Sequence, residues 1–249
     1  MPARLIAVML VAAAALAQQP SKFDVVSIKP NTSAGNNTTW RFGGTGTFTG
    51  ENVPIRFLIM TAFRIKESQL TGLPGWTDGA KYDIVAKSEV KLTQEQIYGM
   101  LQSLLTDRFQ LNYHHTKKTM PVFAMVRAKG GLKVTASKDG PCPLPAPNYC
   151  GQWYSGRNQM NGTRLMMAQL ADGLTFNLDR IVVDKTGYNK TFDMKLTWSP
   201  DPDPGDKTDV PEGPSLFTAV QEQLGIRLEA SKAPVDIIVV DHVEKPTEN

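Results

Sequence analysis

Apolar positions along the chain follow two periods, and these alternate in the same order in two stretches, residues 52 to 128 and 162 to 243. Each stretch opens with a helical stripe: Ile55, Leu58, Ile59, Ala62 and Phe63 in the first, Met167, Leu170, Ala171 and Leu174 in the second. A period of two follows, over 81–87 and then 191–198, with the parallel starts Tyr82-Asp83 and Phe192-Asp193. A second helix comes next. It runs from Thr93 to about Phe109 in one stretch, with Ile97, Met100, Leu101, Leu104 and Leu105 on one face, and from Ser215 to Leu224 in the other, with Phe217, Val220 and Leu224. Thr93 with Gln96 makes a capping box, and Gly225 stands where a helix stops. Each stretch closes on a strand led by proline, Pro121 to Val126 and Pro234 to Val240; the unbroken apolar run of the second predicts burial on both faces.

This order predicts an α+β fold of two related lobes, 51–129 and 161–249, each a small sheet covered by two amphipathic helices. Between them lies a Pro-rich segment, 130–160. Ahead of them, 18–50 reads as an N-terminal strand from Phe23 to Ile28, a Gly/Asn/Thr-rich loop, and a hairpin through Arg41 to Thr49. The acidic, Pro-rich stretch 199–213 has almost nothing apolar to bury and reads as an exposed loop.

The first residues change the picture of where the protein works. Arg4, the apolar run Leu5 to Leu16, and Ala15-Leu16-Ala17 before Gln18 have the three-part layout of a signal peptide over 1–17, with cleavage after Ala17. The alternative is a membrane anchor, but this run rises only about 20 Å as a helix against a hydrocarbon core of roughly 30 Å. The expectation is an exported protein, periplasmic or extracellular, with no stable membrane insertion after cleavage.

Net charge is +3, with cations and anions interspersed and no stripe of cations, so nucleic acid is not an expected partner. Only two cysteines occur, Cys142 and Cys150, closing a short loop dense in proline. In an oxidising compartment such a pair reads as a disulfide; as zinc ligands the two thiols would lack companions.

Candidate chemistry is sparse. Val183-Asp184-Lys185-Thr186-Gly187 looks like the phosphorylated motif of P-type ATPases, yet a strand ending in a turn with Gly187 at positive φ accounts for it without the rest of that machinery. His114 and His115 are neighbours and point to opposite faces of a strand. His242, between Asp241 and Glu244, supplies part of a site at best. No metal, catalytic residue or cofactor is assigned. The aromatics beside turns, Trp76, Trp153 and Tyr154, read either as caps on a core edge or as a stacking surface for a ligand.

Phe23-Asp24-Val25-Val26-Ser27-Ile28-Lys29-Pro30, Gly72-Leu73-Pro74-Gly75-Trp76, Met100 to Phe109 and Val183-Asp184-Lys185-Thr186-Gly187 together resemble a family of exported proteins of unknown function abundant in soil Acidobacteria. The closing residues from Val240 to Asn249 fit it as well, and Tyr188 departs from it where the family carries Leu. Some members join this domain to a membrane metallopeptidase resembling antibiotic-sensing receptors, which implies an extracytoplasmic sensing or binding role. The repeated order is also similar to the short amino-terminal domain of secretins and TonB-dependent receptors. The expected function is therefore a non-catalytic binding or interaction module for an envelope protein or a small ligand, with Trp76, Trp153, Tyr154 and His242 as candidate contacts. The alternative is an envelope hydrolase whose site assembles only in three dimensions.

Overall fold

The structure is a computed structural model that describes residues 22–33, 35, 37–43, 46–90, 92, 94–138, 140, 151, 153–156, 158–199 and 213–246. The expected signal peptide, Thr93, the Cys142 and Cys150 pair and most of the acidic stretch lie outside the described residues.

Twelve strands and four α-helices run through the described chain, and one order of elements occurs twice. The first pass is β1 (Val25–Pro30), β2 (Thr39–Gly43), β3 (Thr47–Pro54), α1 (Ile55–Phe63), β4 (Leu70–Thr71), β5 (Lys81–Lys87), α2 (Gln94–Phe109) and β6 (Asn112–Arg127). The second is β7 (Thr135–Ala136), β8 (Trp153–Ser155), β9 (Gln159–Leu165), α3 (Met167–Asn177), β10 (Ile181–Asp184), β11 (Phe192–Thr197), α4 (Leu216–Leu224) and β12 (Ile226–His242). Sheet order follows suit: β1-β5-β3-β2 in one sheet, β7-β11-β9-β8 in another. The fold is α+β, and both strand ladders of each hairpin centre are antiparallel.

A third sheet, absent from the sequence-based picture, has the order β10-β6-β12-β4. Its short outer strands are exchanged: β4 of the first pass lies parallel to β12 of the second, with Leu70 against Ile238, while β10 of the second lies parallel to β6 of the first, with Ile181 against Val122. Here the proline expectation is corrected. Pro121 and Pro234 lie inside long strands rather than leading them. β10 joins β6 only from Val122, and β4 meets β12 only at Ile238 and Val239, so neither proline withholds a donor from those two outer ladders.

Contacts divide the chain into two compact units, one from the described residues of 1–65, 72–113 and 240–249, the other from 66–71 and 114–239. In the first, Leu58 and Ile59 of α1, Leu101 and Leu105 of α2, and Ile28, Phe48 and Ile84 of the sheet are all buried; Tyr82 meets Phe109 edge to face at 5.3 Å. In the second, Leu170 and Leu174 of α3 and Val220 and Leu224 of α4 cover Met160, Phe192 and Leu196. The amphipathic stripes thus form helices because each has an apolar sheet face to bury, at roughly 25 cal/mol per Å² removed from water. Among the described residues no helix is long and apolar enough to cross a membrane.

One local device recurs in both units. Asn52 in β3 and Arg164 in β9 have positive φ, 57° and 53°, in backbones that bulge out of register. The amide each bulge frees donates to an aspartate on the neighbouring strand, Asn52 N–H to Asp83 Oδ1 and Arg164 N–H to Asp193 Oδ1, both at 2.9 Å. A carboxylate acceptor offsets the conformational strain of a non-glycine residue in the left-handed region. Those aspartates are the ones that follow Tyr82 and Phe192.

Candidate functional site

The edge strand β8 is short, and its register with β9 decides what surrounds its aromatics. Trp153 lies opposite Gly162, and Gly162 in turn lies opposite Met194 of β11, so the indole has a groove without a side chain beside it and a thioether beyond. Behind Trp153 stands α3. A Cβ on Gly173 would come within 2.4 Å of Trp153 Cζ2, so the indole sits directly against the helix backbone. The next residue, Tyr154, is 54% exposed and lies opposite Asn161.

These residues line a cavity of about 510 Å³, with Trp153, Tyr154, Asn161, Gly162, Thr163 and Met194 in its wall. Its volume falls in the size class of small-molecule sites. Asn161, one of these residues, carries a side-chain carbonyl Oδ1 that is buried and has no hydrogen-bond partner among the described residues. An unmatched buried acceptor costs about 1–3 kcal/mol. Tyr154 is the one ionisable side chain in this wall among the described residues. The arrangement can stack a flat or apolar body and receive one hydrogen bond.

A second cavity, about 280 Å³, lies between the turn 128–133 and the C-terminal end of α4, lined by Lys129, Lys133, Glu222 and Arg227 among others. Lys133 is committed there to closing the helix: its backbone amide donates to Leu224 O and its Nζ to Glu222 O. Gly225 at φ 66° ends α4, as its position in the sequence predicted. Arg227 pairs with Glu229.

The other sequence candidates sit elsewhere. Trp76 is half-buried on the 3-10 turn Gly75–Asp78, outside the wall of the Trp153 cavity. Trp198 is in the core. His242, at the end of β12, shares a 2.8 Å contact between Nε2 and Glu244 Oε1, with both side chains more than half exposed. Asp184 ends β10 and accepts from the amide and hydroxyl of Thr186 through Oδ1, while Arg127 donates to the carbonyls of Thr186 and Gly187. Gly187 has φ 63°, so this motif is a pinned turn. Among the described residues no three His, Cys, Asp or Glu side chains gather as metal ligands. Asn161, Gly162 and Met194 escaped the sequence reading, because cross-strand register alone brings them to Trp153.

Two ionisable groups are displaced from their ordinary range. Burial lowers the Lys66 ammonium, partly countered by Asp179, and its Nζ donates to Leu178 O at the C-terminal end of α3. Burial raises the Tyr82 phenol. Lys66 caps a helix and Tyr82 packs in a core, so both shifts belong to the scaffold.

A family model described as a protein of unknown function (DUF3738) matches residues 56–243, spanning both passes of the element order from α1 to β12. No curated protein and no solved structure matches the chain.

Proposed function

The chain belongs to that family of proteins of unknown function, and from this premise we propose that it is a non-catalytic binding module of the extracytoplasmic space. Its ligand is a small, flat or largely apolar molecule carrying an N–H or O–H donor, seated in the Trp153 and Tyr154 cavity. The observation that carries this reading is the pairing of an aromatic wall with the unmatched, buried Asn161 acceptor. The signal-peptide layout of the first residues supports export. The recurrence of sheet order, bulge and aspartate supports descent of both passes from one duplicated unit, akin to the amino-terminal domain of secretins and TonB-dependent receptors.

The test is thermal unfolding of the oxidised, mature protein against indole, adenosine, chitobiose and N-acetylmuramyl dipeptide. A ligand at a hundred times its Kd adds about 2.7 kcal/mol to native stability, which raises the midpoint by about 5–10 °C for a chain of this size. The shift is expected from at least one probe and is expected to vanish in Trp153→Ala and to shrink in Asn161→Ala. Turnover of any probe, or a shift untouched by both substitutions, overturns the reading.

A further inference from the structure

β2 is an outer strand of its sheet, paired to β3 with Phe42 against Phe48, and among the described residues no strand pairs with its other side. Outer strands invite pairing, and proteins commonly blunt them with proline, bulges or brevity. β2 runs five residues in unbroken register with none of these.

Its two faces differ. On the helix side, Trp40 is 43% exposed and heads a chain of aromatic contacts: 5.2 Å to Phe42, 6.0 Å to Phe57 of α1, then 5.3 Å from Phe42 to Tyr98 of α2. On the opposite face, at the middle of the strand, stands the exposed Arg41. A strand laid antiparallel on β2 would set two side chains beside Trp40 and Phe42 and, between them, one beside Arg41.

We propose that β2 is a docking strand for an extended segment of a partner protein, with the pattern apolar, acidic, apolar. The backbone supplies affinity, the aromatic row takes the apolar residues, and Arg41 selects the acid. A second copy of this chain fits poorly, because antiparallel pairing of β2 with itself about its centre sets Arg41 against Arg41. This surface lies in the first compact unit and is independent of the Trp153 cavity.

The probes are acetyl-Ser-Val-Glu-Val-Ser-amide and its counterpart with Lys in place of Glu, titrated into the mature protein and followed by amide hydrogen exchange and two-dimensional NMR. The Glu peptide is expected to bind about fivefold tighter than the Lys peptide, slowing exchange within 39–43, and Arg41→Glu is expected to invert that preference. The inversion is a gain for the Lys peptide, which a merely unfolded variant cannot show. Equal affinity of the two peptides, a preference unchanged by Arg41→Glu, or protection confined to other strands overturns the proposal. So does a concentration-dependent dimer that Trp40→Ala abolishes, which would assign the edge to a second copy.

Discussion

Replacing Gly173 with alanine sets two effects of opposite sign against each other, and the structure says which wins. In the interior of a helix, alanine is favoured over glycine by about 1 kcal/mol. At this position the added methyl would stand 2.4 Å from Trp153 Cζ2 and 2.7 Å from Cη2. Contacts that close force the indole or the helix to move, and overpacking of this kind typically costs about 1–3 kcal/mol. The expected net result is a loss of about 1–2 kcal/mol. In a Trp153→Ala background the obstacle is gone, so the same substitution should stabilise by about 1 kcal/mol, giving a coupling of about 2–3 kcal/mol between the two sites. Urea unfolding of the four proteins measures this through midpoints at constant m value. Gly173→Ala should also displace the ring toward the cavity and weaken any ligand found there. Stabilisation in the native background, or the same effect in both backgrounds, would show that Trp153 does not rest on α3 and would remove the wall of the proposed site.

Three further outcomes follow from the scaffold. Gly225→Ala adds a Cβ 2.0 Å from the Gly131 carbonyl at a left-handed φ, so it should lose at least about 2 kcal/mol and several degrees in Tm by calorimetry. Asp83→Ala removes the acceptor of both the Asn52 amide and Asn31 Nδ2, whereas Asp193→Ala removes the acceptor of the Arg164 amide; urea unfolding should show losses of about 1.5–3 kcal/mol per bond, larger for Asp83. The Tyr82 phenol ionises at higher pH in the folded protein than in the unfolded chain, so above about pH 10 the folded state holds the extra proton and stability falls as pH rises. Unfolding midpoints of Tyr82→Phe and the native protein should therefore differ by a constant amount below about pH 9 and diverge above about pH 10, with the native protein losing more.

The four helices were legible because each has an apolar stripe, and α4 carries punctuation at both ends, Ser215 before it and Gly225 after it. β5 and β11 alternate cleanly and were legible for the same kind of reason. The first halves of β6 and β12 were not. Asn112 to Lys118 is polar throughout and nearly all exposed, so burial imposes no period on it. β4 and β7 have two residues each, too few to carry any pattern, and without them neither the third sheet nor the full strand count can be read. For the candidate site, the turn aromatics Trp153 and Tyr154 were visible in sequence, but a register that sets Trp153, Gly162 and Met194 side by side is a long-range property. Gly173 as the seat of an indole is equally silent, since a glycine in a helix reads only as a weak spot.

The exchange of β4 and β10 makes the third sheet a clasp. Each pass through the element order lends a short strand to the longest strand of the other, so a chain cut between the passes would leave two fragments, each with an unfilled slot and each holding the tongue that fits its counterpart. Such halves should reconstitute on mixing, and a solitary first half should pair with another of its kind by inserting β4 beside β6 reciprocally.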